Sequence, residues 1–115
     1  MKIVINNCHG GFGLSHQAIM RLAELSEVPL IAVATGNSLV PWHYYLNEVK
    51  DENYWSEREV KRDNPLLVQV VEELGELAND RFAELKIVEV PDGVDWYIEE
   101  YDGLECVAEQ HRTWR

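Results

Sequence analysis

The segment that most constrains this chain is an apolar strand that runs into a glycine-rich turn and then directly into a helix. Ile3-Val4-Ile5 is β-branched and uncharged, Cys8-His9-Gly10-Gly11-Phe12-Gly13-Leu14-Ser15 follows, and a helical period starts near His16. Residues 2–7 therefore read as a buried strand. Three glycines in four positions permit a turn too tight for side chains. Ser15 stands where a helix N-cap belongs, its hydroxyl able to accept from a free N–H of the first turn. Ala18, Ile19, Leu22, Ala23 and Leu25 then share one face of a helix over 16–26, which Pro29 limits. The glycines admit two readings. They make room for a tight strand-to-helix turn, or they let N–H groups converge on an anion at the positive end of the helix.

The rest of the chain alternates the same two periods. Leu30-Ile31-Ala32-Val33-Ala34 reads as a strand ended by Thr35-Gly36-Asn37. Residues 38–62 show no clear period; the aromatics favour a strand around Trp42–Leu46, and Asn53–Val60 suits either type. Asn64 is a good N-cap and Pro65 fits the first helical position, where its missing N–H costs nothing. Leu67, Val70, Val71, Leu74, Leu77 and Ala78 continue that helix. Leu85–Val90 reads as a strand, Pro91-Asp92-Gly93 as a turn and Asp95–Glu100 as an alternating strand. Asp102-Gly103 is a hairpin signal before Leu104–Ala108, the expected third strand of a meander. These elements predict an α+β fold in a single domain over residues 1–115. Its expected form is a mixed sheet with a C-terminal antiparallel meander and two main helices packed on it.

Charge narrows the function classes. The formal net charge is -11, which disfavours a nucleic-acid binder because phosphate contacts dominate such affinities. No apolar run approaches the ~20 residues that cross a bilayer, and the N-terminus turns polar too soon for a signal peptide. The expectation is a soluble cytoplasmic protein, without membrane or nucleic-acid partners and with Cys8 and Cys106 reduced. The distribution is uneven: only Glu24 and Glu27 precede residue 48 among the 21 acids, and residues 110–115 hold none. An anionic ligand is tolerated best at those two acid-poor segments.

Candidate ligand-binding residues follow from that distribution: Gly10, Gly11, Phe12, Gly13 and Ser15 at the front, and His111, Arg112 and Trp114 in the tail. An imidazole, a guanidinium and an indole suit a nucleotide's phosphates and base; the alternative is a Trp that anchors the terminus on the core. Trp42 joins the candidates from the aromatic cluster Trp42, His43, Tyr44, Tyr45, Tyr54 and Trp55, which serves equally as core packing. The glycine loop lacks the Gly-Lys-Ser/Thr ending of a Walker loop, and His16 occupies the third glycine of a dinucleotide fingerprint. Cys8 beside a helix N-terminus allows a thiolate nucleophile with His9, His16, His43 or His111 as base, but no third group is indicated. No catalytic residue, metal or cofactor is predicted. Glu72, Glu76 and Asp80, with Glu73 beside them, form a row that resembles DNA phosphates or an ordinary solvated stripe.

Both ends of the chain resemble a family of small proteins from tailed bacteriophages and prophages. The front match is Lys2-Ile3-Val4-Ile5-Asn6, Cys8 and Gly10-Gly11-Phe12-Gly13-Leu14-Ser15; His9 departs from the aromatic or other large residue expected there. The rear match is Asn64-Pro65, Val71-Glu72-Glu73-Leu74-Gly75, residues 81–93, Glu99-Glu100-Tyr101-Asp102-Gly103 and His111-Arg112-Thr113-Trp114. The middle, about residues 30–60, has no counterpart. The resemblance implies a viral accessory protein and transfers no catalytic residue. Together with the candidate residues it leads to an expected binder of a nucleotide-like anion, which sequesters a host antiviral signalling nucleotide in a pocket shared between subunits of a homo-oligomer. The alternatives are an acidic, DNA-mimicking inhibitor of a host enzyme and a small hydrolase that uses Cys8.

Overall fold

A computed structural model describes residues 1–110, so the predicted tail residues His111, Arg112 and Trp114 lie outside the described part. In chain order the elements are β1 (Lys2–Asn6), α1 (His16–Ser26), β2 (Leu30–Ala34), β3 (Trp42–Leu46), β4 (Tyr54–Trp55), α2 (Pro65–Leu74), β5 (Leu85–Glu89), β6 (Trp96–Tyr101) and β7 (Leu104–Glu109). The α+β class and the C-terminal hairpin are as expected. The strands do not join in one mixed sheet, however. They form three antiparallel sheets, β1-β5, β2-β3-β4 and β6-β7. The expected three-stranded meander is a two-stranded hairpin, because β5 crosses the molecule to pair with β1, Lys2 opposite Glu89 and Asn6 opposite Leu85. Asp102 and Gly103 both take positive φ, +49° and +88°, as a two-residue turn with the twist of its flanking strands requires.

Local sequence explains both helices. Ser15 caps α1 by accepting from the Ala18 N–H at 3.1 Å, and Asn64 caps α2 by accepting from the Leu66 N–H at 2.9 Å. The second helix stops at Leu74, short of the expected Ala78, because Gly75 turns to φ +56° and residues 75–78 tighten into a 3-10 turn. Glu72, Glu76 and Asp80 therefore do not share one helical stripe. Ala18, Ile19 and Leu22 of α1 meet Leu67, Val68, Val70 and Val71 of α2 in the core, with Val4, Leu14, Tyr44 and Ala78. Each such large side chain contributes roughly 1.5–3 kcal/mol through burial.

β1 has only one strand partner, yet residues 3–6 are fully or almost fully buried. Met1 C=O and Asn7 N–H bond across to β5, at Val90 and Glu84, so the odd positions face β5 and the even ones face away. On that second edge the Val4 N–H donates to the Arg62 carbonyl at 2.9 Å, and the Asn6 N–H donates to Glu105 Oε1 at 2.8 Å. Arg62 Nη1 also donates to the Val4 carbonyl at 3.3 Å. One arginine and one glutamate thus take the place of a neighbouring strand.

Candidate functional site

The glycine turn is held by what it touches. Gly10 packs against the Phe82 carbonyl so closely that a Cβ there would overlap it. A Cβ on Gly13 would lie 2.7 Å from Asp80 Oδ2. The Gly13 carbonyl accepts from the Asp80 N–H at 3.2 Å, and the Ser15 N–H donates to Ala78 at 2.9 Å. Gly103 is needed from the other side, because its Cβ would strike the His9 carbonyl. Close chain crossing accounts for Gly10 and Gly13. Ser15 is fully engaged too, since it caps α1 and its hydroxyl donates to the Leu77 carbonyl at 2.6 Å.

Asn6 is the centre of this arrangement and is completely buried. Its Nδ2 donates to the Cys8 carbonyl at 2.7 Å and to the Gly103 carbonyl at 2.8 Å. Its Oδ1 accepts from the Glu84 N–H at 2.8 Å and from Cys8 Sγ at 3.4 Å. The glycine loop, the start of β5 and the hairpin turn are tied together by one amide. A polar residue ending an otherwise apolar strand was the available signal, since a buried amide must find partners.

Gly11 and Phe12 border this packing, and a Cβ on Gly103 would come within 2.7 Å of the Gly11 N. Gly11 has φ +91° and open space where a Cβ would lie. Both residues line a cavity of about 200 Å³ with Arg58, Arg62, Glu100 and Glu105. Arg62 forms its back wall: Nη1 and Nη2 reach the two Glu105 oxygens at 2.6 and 2.9 Å, and the guanidinium lies 3.5 Å from the Phe12 ring centre. Burial pushes the Glu105 carboxyl up, but the Arg62 guanidinium and the Asn6 N–H outweigh it and hold the group below the ordinary carboxylate value. Arg58 is exposed, and among the described residues it makes no ion pair. Ser56 caps the short 3-10 turn that carries it. One guanidinium that is paired, one that among the described residues is not, and one exposed carboxylate, Glu100, line the same space.

The other predicted site residues are not brought there. Trp42 stacks on His16, ring centres 4.2 Å apart and 11° from parallel, and His16 Nδ1 lies 2.8 Å from the Tyr44 hydroxyl. Tyr44 is held above the usual tyrosine range, by burial first and then by Glu57 and Asp80. Cys8 Sγ points at the Phe82 carbonyl, 3.1 Å away, and at Asn6, and neither partner is a base. His9 Nδ1 instead sits 3.1 Å from the Asp102 carbonyl. Glu73 pairs with Arg21 at 3.0 Å and Glu72 with Lys2 at 3.2 Å. Among the described residues no helix is long and apolar enough to cross a membrane, and no three His, Cys, Asp or Glu side chains gather as a metal site would require.

Comparison of the chain with protein-family models, curated proteins and solved structures gave no match.

Proposed function

We propose that the protein binds a small phosphorylated, nucleotide-type ligand in the cavity between the glycine loop and the β6–β7 hairpin. The observation that carries this reading is Arg58, a guanidinium without a carboxylate partner among the described residues, lining the same cavity as Gly11, which leaves open space where a Cβ would lie. A guanidinium takes two oxygens of a phosphate at once, and the missing side chain of Gly11 lets a ligand approach the loop closely. Glu100 supplies an acceptor of the kind that holds ribose hydroxyls. Arg62, neutralised by Glu105, is a rigid wall and not a second phosphate clamp.

Size selects among ligands. Sites for drug-sized molecules run about 300–1,000 Å³. A cavity of about 200 Å³ takes the sugar-phosphate of a ligand and leaves its base at the mouth. Given the resemblance of its two ends to tailed-phage proteins, the chain would act in the cytoplasm of an infected bacterium, where such binding sequesters a signalling nucleotide. The test is thermal shift and calorimetry with ADP-ribose, AMP, cyclic dinucleotides and inorganic phosphate. A ligand at 100 times its Kd adds about 2.7 kcal/mol of stability. Arg58→Ala, at an exposed position, should abolish that gain and leave the unliganded Tm unchanged. A full panel without any shift, or an Arg58→Ala protein that keeps the shift, overturns the reading.

A further inference from the structure

The chain treats its sheet edges unequally. The second edge of β1 is closed by Arg62 and Glu105, β5 carries Lys86 and Glu89, and β6 and β7 carry Glu99, Glu100, Glu105 and Glu109. β4 is two residues long. Charged side chains, short strands and covering groups are how proteins keep edges from pairing with other chains. Among the described residues, β2 uses none of these. It is the outer strand of β2-β3-β4, five residues without a charge or a proline. The whole stretch Val28–Asn47, which includes β2 and β3, contains no Asp, Glu, Lys or Arg in a chain of net charge -11. Val28, Ile31, Val33, Leu39 and Val40 in it are exposed apolar residues.

The backbone of β2 fits its own copy. The Thr35 N–H donates to Pro41 and the Asn47 N–H to Pro29, so with Ala32 opposite Tyr44 the odd residues of β2 bond to β3. The N–H and C=O groups of Ala32 and Ala34 point off the free edge, and among the described residues they meet no partner. Leu30 and Ala32 pack inward on the core, while Ile31 and Val33 lie on the opposite face. A two-fold axis at Ala32 would set Ala32 against Ala32 of the second copy, with N–H to C=O bonds both ways. The same axis sets Ile31 against Val33 and Leu30 against Ala34. Every cross-strand pair is then apolar, and both inner faces stay on the inner side.

We propose that two copies of this chain pair through β2 in that antiparallel register, making one six-stranded sheet. Charge argues for a second copy as the occupant. A basic partner would gain by docking on the acidic surface and gains nothing at an uncharged edge. Two copies of a -11 chain repel each other, least of all where the 28–47 stretches meet.

Sedimentation velocity of the full chain from about 1 to 300 μM, a range that spans micromolar Kd values, reads the assembly state. Amide hydrogen exchange on the same samples reads the edge. In the monomer the Ile31 and Val33 amides are protected by β3 and the Ala32 and Ala34 amides are not. The expected result is a dimer in which exchange at Ala32 slows about tenfold or more once the concentration is ~100 Kd, and recovers on dilution. Ala32→Pro removes the central outward N–H, which an edge strand tolerates, and should yield a folded monomer. Val33→Lys, on the outer face, should weaken dimerisation at least about tenfold and serves if the proline variant does not fold. A monomer at every concentration overturns the proposal. So does a dimer whose Ala32 amide exchanges freely, or one that survives both substitutions.

Discussion

Removing Arg62 tests the logic by which this fold closes its first strand. In Arg62→Ala the Glu105 carboxylate, whose side chain is only 6% exposed, keeps the Asn6 N–H and loses both guanidinium bonds. The Val4 carbonyl loses its bond from Nη1, and Phe12 loses the cation over its ring. Breaking a buried ion pair from one side costs about 3–5 kcal/mol. Arg62 is 17% exposed, so water partly compensates and the lower end applies, about 3 kcal/mol for the whole change. With a urea m-value of ~1–3 kcal/mol/M, the midpoint should fall by about 1–3 M at neutral pH. The pH dependence gives a sharper readout. In the parent protein the Glu105 carboxyl titrates below its ordinary 4.5. The stability it contributes is therefore present above that value and lost only as pH falls through the lower folded pKa. Without Arg62 only burial and the Asn6 N–H remain, burial dominates, and the folded pKa rises above 4.5. Acid then relieves the variant before it harms the parent, so the gap between them should narrow as pH falls from neutrality toward 4.5. The series stops above the pI of about 4.6, where a chain without net charge precipitates. Adding Glu105→Gln to Arg62→Ala removes the stranded charge and keeps an acceptor for Asn6, and should restore about 1–2 kcal/mol at neutral pH. A loss under about 1 kcal/mol, or a penalty that stays constant on acidification, refutes the edge-closing role.

Four other substitutions probe the same architecture. Gly10→Ala forces a Cβ into the Phe82 carbonyl and should lower stability by about 2–3 kcal/mol, whereas Gly36→Ala, with φ +77° and empty space around it, should cost about 1 kcal/mol, both read by urea denaturation. Equal costs would mean that the glycine turn is not packed against residues 80–82. Asn6→Ala strands the Glu84 N–H and two carbonyls and should cost about 2–4 kcal/mol in the same assay, and an unchanged midpoint contradicts its place as the tie between loop, β5 and hairpin. Burial, with Asp80 adding to it, raises the Glu57 carboxyl above its ordinary 4.5, so its ionised form opposes folding as pH rises through that raised value. Glu57→Gln should therefore raise Tm at neutral pH, with the advantage fading as pH approaches 4.5 from above; a variant less stable than the parent at pH 7 would contradict it.

Local chemistry was legible in this sequence and long-range pairing was not. Ser15, Asn64-Pro65 and Asp102-Gly103 set helix starts and a hairpin through bonds to residues two or three positions away, so their neighbours in sequence suffice to place them. The end of α2 was missed because Leu77 and Ala78 keep the apolar period while the backbone leaves the helix at Gly75. Nothing local tells β1 that its partner is β5, 79 to 87 residues away, instead of a neighbour in a mixed sheet. The site follows the same division. Gly11 and Phe12 stood out by composition, but Arg58, Arg62, Glu100 and Glu105 come from a segment without period and from a hairpin, and meet the loop only through tertiary contacts. In the sequence, polarity stands in the wrong place at Asn6, which ends an apolar run, and at Glu105, which shares a strand face with Val107. Such residues survive inside a small core only where they satisfy backbone that no strand reaches, and here they close the edge of β1 and build the wall of the cavity. The same rule read in reverse marks β2, whose edge no polar side chain among the described residues covers, as the place where another backbone completes the sheet.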